Sequence, residues 1–339
     1  MTNKPKLALI YQKEYFEYLF DKKLSEEFEL FTQYINLGTQ AEDLDELVDF
    51  NADINIVFRG EFFPTQTLTK LKGIKVAIST EPFPKIIDSK FNYTLDSILR
   101  FRNFLPVFDK DFDYIFHYDQ VSASFLKGQG IDLSGYFPLP IATNDFMPIP
   151  CDDYEWDICF IGRSTEHREK YLGALKSHFK LIHIAHGLEG TEMLPYISRS
   201  KININLHAEP EISWEPRTQL LLACGTVMIS EPISPNNYLE KNKDYIEIGT
   251  REELYNKCAD ILQNYEAYDD YKINGRAKIV NMLSSLNNFT NLTHDVLAGK
   301  YQKPNINRSK INLNALEICK KYNGLDHLLL ELAGDYEFE

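Results

Sequence analysis

The sequence predicts an α/β protein made of two parallel-sheet domains in tandem with a helical appendage at the C-terminus. Three observations carry this. Short apolar runs alternate with segments of helical spacing, as strands and crossover helices do. The rhythm is interrupted once, at Phe137–Pro150, where four prolines fall within 14 residues, and it restarts immediately afterwards. The length of 339 residues is that of two domains at roughly 150 residues each.

In chain order, Lys6–Tyr11 (KLALIY) reads as a buried parallel strand. Tyr15, Leu19, Lys22, Lys23 and Glu26 then have the spacing of a helix with one apolar and one charged face. Ile54–Phe58, Ile74–Ile78 and Tyr114–His117 are the next strands. The prolines at 138, 140, 148 and 150 can continue neither a helix nor a central strand, which makes this stretch the domain boundary. Trp156–Ile161 restarts the pattern, followed by a helix over Arg168–Phe179, a strand at Leu181–Ala185 and a short helix near Tyr196. A strand at Ile202–Leu206 leads to a helix over Thr218–Ala223 that stops at Gly225, and Thr226–Ser230 is a strand again. Thr250 and Glu253 form a capping box that opens a helix with Leu254, Cys258, Ile261, Leu262 and Tyr265 on one face. From Leu313 an amphipathic helix runs through Leu316, Cys319, Leu325 and Leu328–Leu332, and its apolar face needs covering by the first domain. The expected layout is 1–140, a linker over 141–152, 153–300 and a helical segment over 301–339.

Composition narrows the partners. Lys and Arg number 36 against 50 Asp and Glu, a net charge of -14. Nucleic-acid binders carry a basic face, so no nucleic acid is expected, although a local basic pocket for phosphate is compatible with this balance. With 44% hydrophobic, 13% aromatic and 25% charged residues, the chain is globular and not disordered. The five cysteines, Cys151, Cys159, Cys224, Cys258 and Cys319, show no metal or disulfide spacing and read as reduced thiols. The first apolar run is only six residues long, too short for a signal-peptide core, and no stretch approaches the ~20 apolar residues of a membrane span. The expected setting is cytoplasmic, with no transmembrane segment and room for peripheral membrane contact. The Asn-x-Ser/Thr triplets at Asn92, Asn288, Asn291 and Asn307 are chance matches there.

In a doubly wound sheet, phosphate binds at the first βα turn, on loop amides and the helix start. In the first domain that turn is Tyr11-Gln12-Lys13-Glu14, without a glycine and with a carboxylate, a poor cradle. In the second it runs from Phe160 to Arg168: Gly162 permits close backbone approach, Ser164 or Thr165 can cap the next helix, and Arg163 and Arg168 add positive charge. A nucleoside diphosphate therefore belongs to the second domain. The bland reading of the same residues is an ordinary capped turn. Further on, Pro216 suits a first helical turn and places Glu215 and Arg217 beside the helix start. An arginine there can face a phosphate, or form a surface pair with Glu215.

These features occur in an order that resembles the C-terminal half of GT-B glycosyltransferases of the CgeB-like, or glycosyl transferase group 1, type. The motifs are Leu139-Pro140-Ile141-Ala142, Asp157 to Phe160 and Gly162, Arg168, Tyr196 through Lys201, Ile202 and Asn205, then Arg217 with Ala223-Cys224-Gly225, and Glu252-Glu253-Leu254. The match covers residues 137–295, and only Tyr114–Gly130 of the first domain joins it. The resemblance implies two Rossmann-like domains facing across a cleft, with the nucleotide sugar on the second and a glycan or protein acceptor on the first. It implies metal-independent glycosyl transfer, without cofactor, in a bacterial polysaccharide or protein-glycosylation setting. The leaving phosphate would then be stabilised by Arg217 and Arg163, with Ser164 as a neutral donor and Gly162, Glu215, Asn205 and His207 bordering the same site. An inverting reaction needs a general base from the first domain. Glu81, after Ile74–Thr80 and between Pro82 and Pro84, is the first candidate, His117 the second, and Glu61 lies in an equivalent place.

One position departs from the family: the Glu expected three residues after the arginine, which would hold the donor ribose, is Leu220. Either Glu215 or Gln219 takes over, or the nucleotide sits differently, or donor binding is lost. Two further readings follow: a nucleotide-sugar epimerase on the same fold, and a non-catalytic, degenerate glycosyltransferase scaffold. The triplets Asp109-Lys110-Asp111 and Asp111-Phe112-Asp113 resemble metal-binding DxD motifs, but such triplets arise by chance in a chain with 50 acids. Cys224 reads as packing.

Overall fold

The structure is a computed structural model that describes residues 4–151, 153–312, 314–322 and 324. The chain folds as two compact units. The first comprises the described residues up to Tyr11, Glu29–Pro138 and the described residues from Asp295 on; the second comprises the described residues of Gln12–Phe28 and Leu139–His294.

The first unit is built on a six-stranded sheet of β1 (Lys6–Tyr11), β2 (Glu29–Tyr34), β3 (Ile54–Phe58), β4 (Ile74–Ser79), β5 (Tyr114–His117) and β6 (Gly135–Tyr136). Their spatial order is β2-β1-β3-β4-β5-β6, every pairing parallel. Nearly every residue of β1 and β3 is buried, because helices cover both faces of a parallel sheet. Helix α1 (Leu95–Phe104) is opened by a capping box between Thr94 and Ser97 and contributes Ile98, Phe101 and Phe104 to the core. Helix α5 (Ala315–Lys321) adds Ile318 and Cys319 to the same core, while Leu316 is exposed. Leu313, Leu325 and Leu328–Leu332, expected to extend that helix, lie outside the described residues.

The second unit holds five parallel strands, β7 (Trp156–Ile161), β8 (Leu181–Ile184), β9 (Ser200–Asn205), β10 (Val227–Ser230) and β11 (Ile246–Glu247), in the order β8-β7-β9-β10-β11. Helix α2 (Glu166–His178) starts at the Thr165 cap, whose hydroxyl accepts the Arg168 amide. Helix α3 (Arg217–Ala223) ends at Gly225, whose φ of +64° a side chain would strain. A Cβ at Gly225 would also come within 2.8 Å of Pro148. Helix α4 (Arg251–Gln263) starts at Thr250, which accepts the Glu253 amide, but Glu253 reaches one residue further back than a capping box requires, to the Gly249 amide.

The amphipathic stretch after Tyr11 is not one helix. It breaks into turns at Lys13–Phe16, Glu17–Leu19 and Leu24–Glu27. Phe20 is extended, and the buried Asp21 carboxylate accepts the Lys23 amide and the Asn144 side chain. Tertiary bonds within the second unit thus replace the helical ladder. The proline-rich stretch from Leu139 packs there too, with Ile141 bridged to Leu283 and Ser285 through backbone bonds.

Candidate functional site

In a doubly wound sheet the crevice opens where neighbouring crossovers leave in opposite directions, at the carboxyl ends of the strands. In the second unit that switch point lies between β7 and β9. The chain leaves β7 through Gly162 and leaves β9 through Leu206 and His207, and Arg217 starts the helix that follows β9.

These residues meet. Arg217 donates from Nη1 to Asn205 Oδ1 and the Leu206 carbonyl, both at 3.0 Å, and its Nη2 pairs with Glu215 at 2.8 Å. Arg168 donates from Nε to the Leu206 carbonyl and from Nη1 to the Arg163 carbonyl, each at 3.0 Å, and its Nη2 faces both oxygens of Glu215 at 3.2 to 3.3 Å. Both guanidiniums lie over the Phe160 ring, 5.3 Å from its centroid. A Cβ on Gly162 would stand 2.9 Å from Arg217 Nη2, so the glycine leaves the arginine its place. The Gly162 peptide is itself pinned from β8: its amide bonds the Ile184 carbonyl, and His183 Nε2 donates to its carbonyl at 2.9 Å.

The charges are strongly coupled. Burial brings the Arg168 guanidinium down to about 10, helped by Arg217, but it stays cationic at neutral pH. Burial alone would raise the Glu215 carboxyl; Arg217, His207 and Arg168 outweigh it and hold it well below the usual carboxylate range. Burial likewise opposes protonation of His207, but Glu215 and Glu231 raise its imidazole above the ordinary histidine value.

Arg163 and Ser164 are exposed at this turn, and Ser164 donates to Glu169 at 2.6 Å. Asn205 and His207, expected to border a donor, are instead fully covered. Asn205 holds Arg217 on one side and Ser230 on the other, and His207 lies against the Pro232 carbonyl, Ser213 and Glu215. Asn205 thus touches Arg217, and His207 touches Glu215. Gln219 is buried and bonds the Leu139 carbonyl, Leu220 is in the core, and Glu215 is taken up by the arginines. None of the three presents a carboxylate to a ribose.

In the first unit the switch point lies between β1 and β3, and Arg59, Gly60 and Glu61 leave β3 there. Arg59 has φ +60°, a conformation seldom held by a residue other than glycine. It pairs with Glu61 at 2.5 Å and with Glu81, while Arg100 of α1 takes the other oxygen of Glu81. Lys110 fastens the loop by donating to the carbonyls of Gly60, Glu61 and Phe63 at 2.7 to 2.9 Å. Glu81 is therefore on the strand-end loop but has both oxygens engaged. His117 is placed otherwise than a catalytic base requires. It is 0% exposed, its ring stacks on Phe83 at 4.3 Å, and burial, with Lys85 nearby, holds its imidazole well below the ordinary value. It is a core histidine.

The acidic triplets dissolve into separate ion pairs, Asp109 with Arg308, Asp111 with Lys75 and Asp113 with Lys303. Burial pushes the Cys224 thiol up to about 12, as packing predicts. Sequence reading missed the pair His167–Glu231, in which Nε2 and Oε1 lie 2.8 Å apart. Glu231 follows strand β10 directly, the same positional signal that singled out Glu81.

No family model and no curated protein matches the chain. Among solved structures it is similar to HepE of Anabaena in complex with UDP, at 10% identity and a TM-score of 0.54, over 86% of this chain and 100% of that one. It is also similar to sucrose-phosphate synthase of Thermosynechococcus elongatus, at 10% identity and a TM-score of 0.55, over 87% and 100%. A glycosyltransferase of Rickettsia africae aligns at 12% identity and a TM-score of 0.51, over 88% and 99%. At these identities the likeness is one of architecture. The chain has the GT-B fold, with two Rossmann-like domains.

Proposed function

We propose that this chain transfers a sugar from a nucleotide-sugar donor to a glycan or other acceptor. The observation that carries the reading is the convergence of Gly162 and Arg217 at the switch point of the second unit, with Arg163 exposed on the same turn. In the proposed reaction the bond from the anomeric carbon to the diphosphate breaks, and its electron pair goes to the phosphate oxygen. The acceptor hydroxyl oxygen forms the new bond and its proton passes to a base. Arg217, Arg163 and the turn amides meet the developing phosphate charge, without a metal ion. Glu81 is the proposed base of the first unit, once a guanidinium releases one of its oxygens. A cytoplasmic setting fits five free cysteines, and no helix among the described residues is long and apolar enough to cross a membrane.

HepE was solved with UDP and with UDP-glucose, which makes uridine nucleotides the first probes. Calorimetric titration with UDP, GDP, ADP and CMP, with and without EDTA, tests the donor site. One nucleoside diphosphate should bind, and EDTA should leave its affinity unchanged. Arg217→Ala should weaken that binding roughly 10- to 100-fold, the range of a lost charge-assisted hydrogen bond, in a protein that still folds but melts lower, because Glu215 loses the guanidinium that does most to hold it charged. Unchanged affinity in Arg217→Ala removes the residue from the site. A donor sugar altered without any acceptor would mean an epimerase, and no binding of any nucleotide would mean a degenerate scaffold.

A further inference from the structure

The turn that opens the proposed donor site is held from strand β8, by a residue with no part in the chemistry described so far. Gly162 meets β8 twice: its amide donates to the Ile184 carbonyl and its carbonyl accepts from His183 Nε2, each at 2.9 Å. A carbonyl can only accept, so Nε2 carries the proton and donates whether or not the ring is charged. The His183 ring packs on Phe160 with the centroids 5.1 Å apart. Glu169 Oε1 lies 3.8 Å from Nδ1, beyond hydrogen-bond reach, and is itself the acceptor for Ser164.

A peptide unit is planar and trans, so its C=O and its N–H point in opposite directions. With the Gly162 carbonyl held toward β8, the Arg163 N–H points away from β8. Strand β7 lies between β8 and β9, so that direction is the β9 side of the switch point. Arg217 is on that side. Its Nη1 bonds Asn205 at the end of β9 and Leu206 just after it, and its Nη2 stands 2.9 Å from where a Cβ on Gly162 would be. The next peptide is set in the same way: Arg168 Nη1 donates to the Arg163 carbonyl at 3.0 Å, which turns the Ser164 N–H away from Arg168. The amides of Arg163 and Ser164 bond no described residue. Two successive amides without a protein acceptor, next to a guanidinium, suit an anion.

We propose that His183 is a positioning residue of the donor site: its bond to the Gly162 carbonyl aims the Arg163 amide at a phosphate oxygen of the donor, on the side where Arg217 stands. The proposal rests on the donor site proposed above and adds to it a residue that touches no substrate. Glycine leaves the peptide that follows it free to rotate, so a fixed orientation there needs a holder. As the bond to the departing sugar breaks, its electron pair goes to the phosphate oxygen. An amide already aimed at that oxygen then binds it more strongly without reorganisation. No proton moves through His183.

The test follows the full chain by backbone amide NMR and calorimetric titration with whichever of UDP, GDP and ADP binds best. In the wild type, saturating nucleotide should move the Arg163 amide proton downfield, the sign of a new charge-assisted hydrogen bond. His183→Phe keeps a ring on Phe160 but has no N–H to donate. It should bind about tenfold more weakly, one such bond's worth, and lose the Arg163 shift. His183→Gln, whose side-chain amide can donate to the carbonyl, should restore most of both, and thermal melts confirm that the variants fold. A histidine with a merely structural role would lower the melting temperature when replaced and leave the Arg163 shift of the bound state in place. Nucleotide binding that leaves the wild-type Arg163 amide proton unmoved, or a His183→Phe variant with wild-type affinity and shift, overturns the proposal and leaves the donor site standing. Equal losses in the two variants assign the effect to the packing of the ring and overturn the proposal as well. A wild-type protein that binds none of the nucleotides overturns both.

Discussion

Glu81 shows how far a single residue's surroundings decide its chemistry. Arg59 takes one of its carboxylate oxygens and Arg100 of α1 takes the other, and Asp96 and Glu61 share those arginines. A carboxylate held like this accepts no proton from an acceptor until a pair opens, and an acceptor hydroxyl or anionic group is the natural agent for opening it. Glu81→Gln keeps the shape and removes the basicity. If Glu81 is the base, turnover should fall roughly 10²- to 10⁴-fold, the span of general-base catalysis, at unchanged donor affinity. Full turnover in the variant would assign the residue to holding the two arginines. Arg217 makes the complementary point about geometry. Its fork meets Asn205, Leu206 and Glu215 at once, and one ammonium cannot do the same. Arg217→Lys should therefore recover little of the nucleotide affinity lost in Arg217→Ala, as the same titration would show.

At the scale of elements, both sheets bring their chemistry to the switch point, and the second does so through a turn whose glycine has a defined job. A Cβ at Gly162 would meet Arg217 Nη2 at 2.9 Å, the Phe160 ring at 3.2 Å and Arg168 Nη1 at 3.4 Å, at a φ of +157° that strains a side chain, so Gly162→Ala should shift the Arg217 guanidinium and lower the melting temperature without unfolding the protein. Displacing that guanidinium should weaken nucleoside diphosphate binding by about tenfold, one such bond's worth, with an unchanged circular dichroism spectrum. An unaltered affinity would mean that Arg217 does not need its present seat. Much of this scaffold was legible in the sequence, because buried parallel strands appear as continuous apolar runs: β1, β3, β4, β5 and β7 were all readable so. Strand β2 was not, since at the sheet edge it has the mixed, half-exposed pattern of Glu29–Tyr34. The broken helix after Tyr11 was misread because Asp21 finds its partners at Asn144 and Ser285, far along the chain. The turn at Gly162 and the arginine at 217 were legible as local motifs. The pairing of His167 with Glu231 was not, because 64 residues separate two unremarkable side chains and only the order of the strands brings them together.

At the scale of the whole molecule, the two units bury histidines of opposite character, and they should answer acid in opposite senses. His117, in the first unit, faces Lys85 from the short strand Lys85–Ile87, the Ser79 carbonyl from β4 and the ring of Tyr118, with Asp119 paired to Lys85 at 3.6 Å. Burial and Lys85 depress its pKa, so the unfolded chain takes up a proton near pH 6.5 that the folded unit refuses. The first unit should thus keep its stability above pH 6.5 and lose it progressively below. His207, in the second unit, has the reverse sign. Despite burial, Glu215 and Glu231 raise its pKa, so its contribution is complete below pH 6.5 and is lost as pH rises through the folded value. Hydrogen exchange of core amides, corrected for intrinsic rates, reads the two separately. On lowering the pH from 8 towards 5.5, protection in β9 and β10 should rise first, and protection in β4 and β5 should fall later. His117→Phe should abolish the second change and spare the first, since a phenyl ring keeps the stack on Phe83 but carries no proton. His207→Gln should abolish only the first. Parallel loss of protection in both units, unaltered by either variant, would mean that these imidazoles do not govern the response and that repulsion among the many other ionisable groups does.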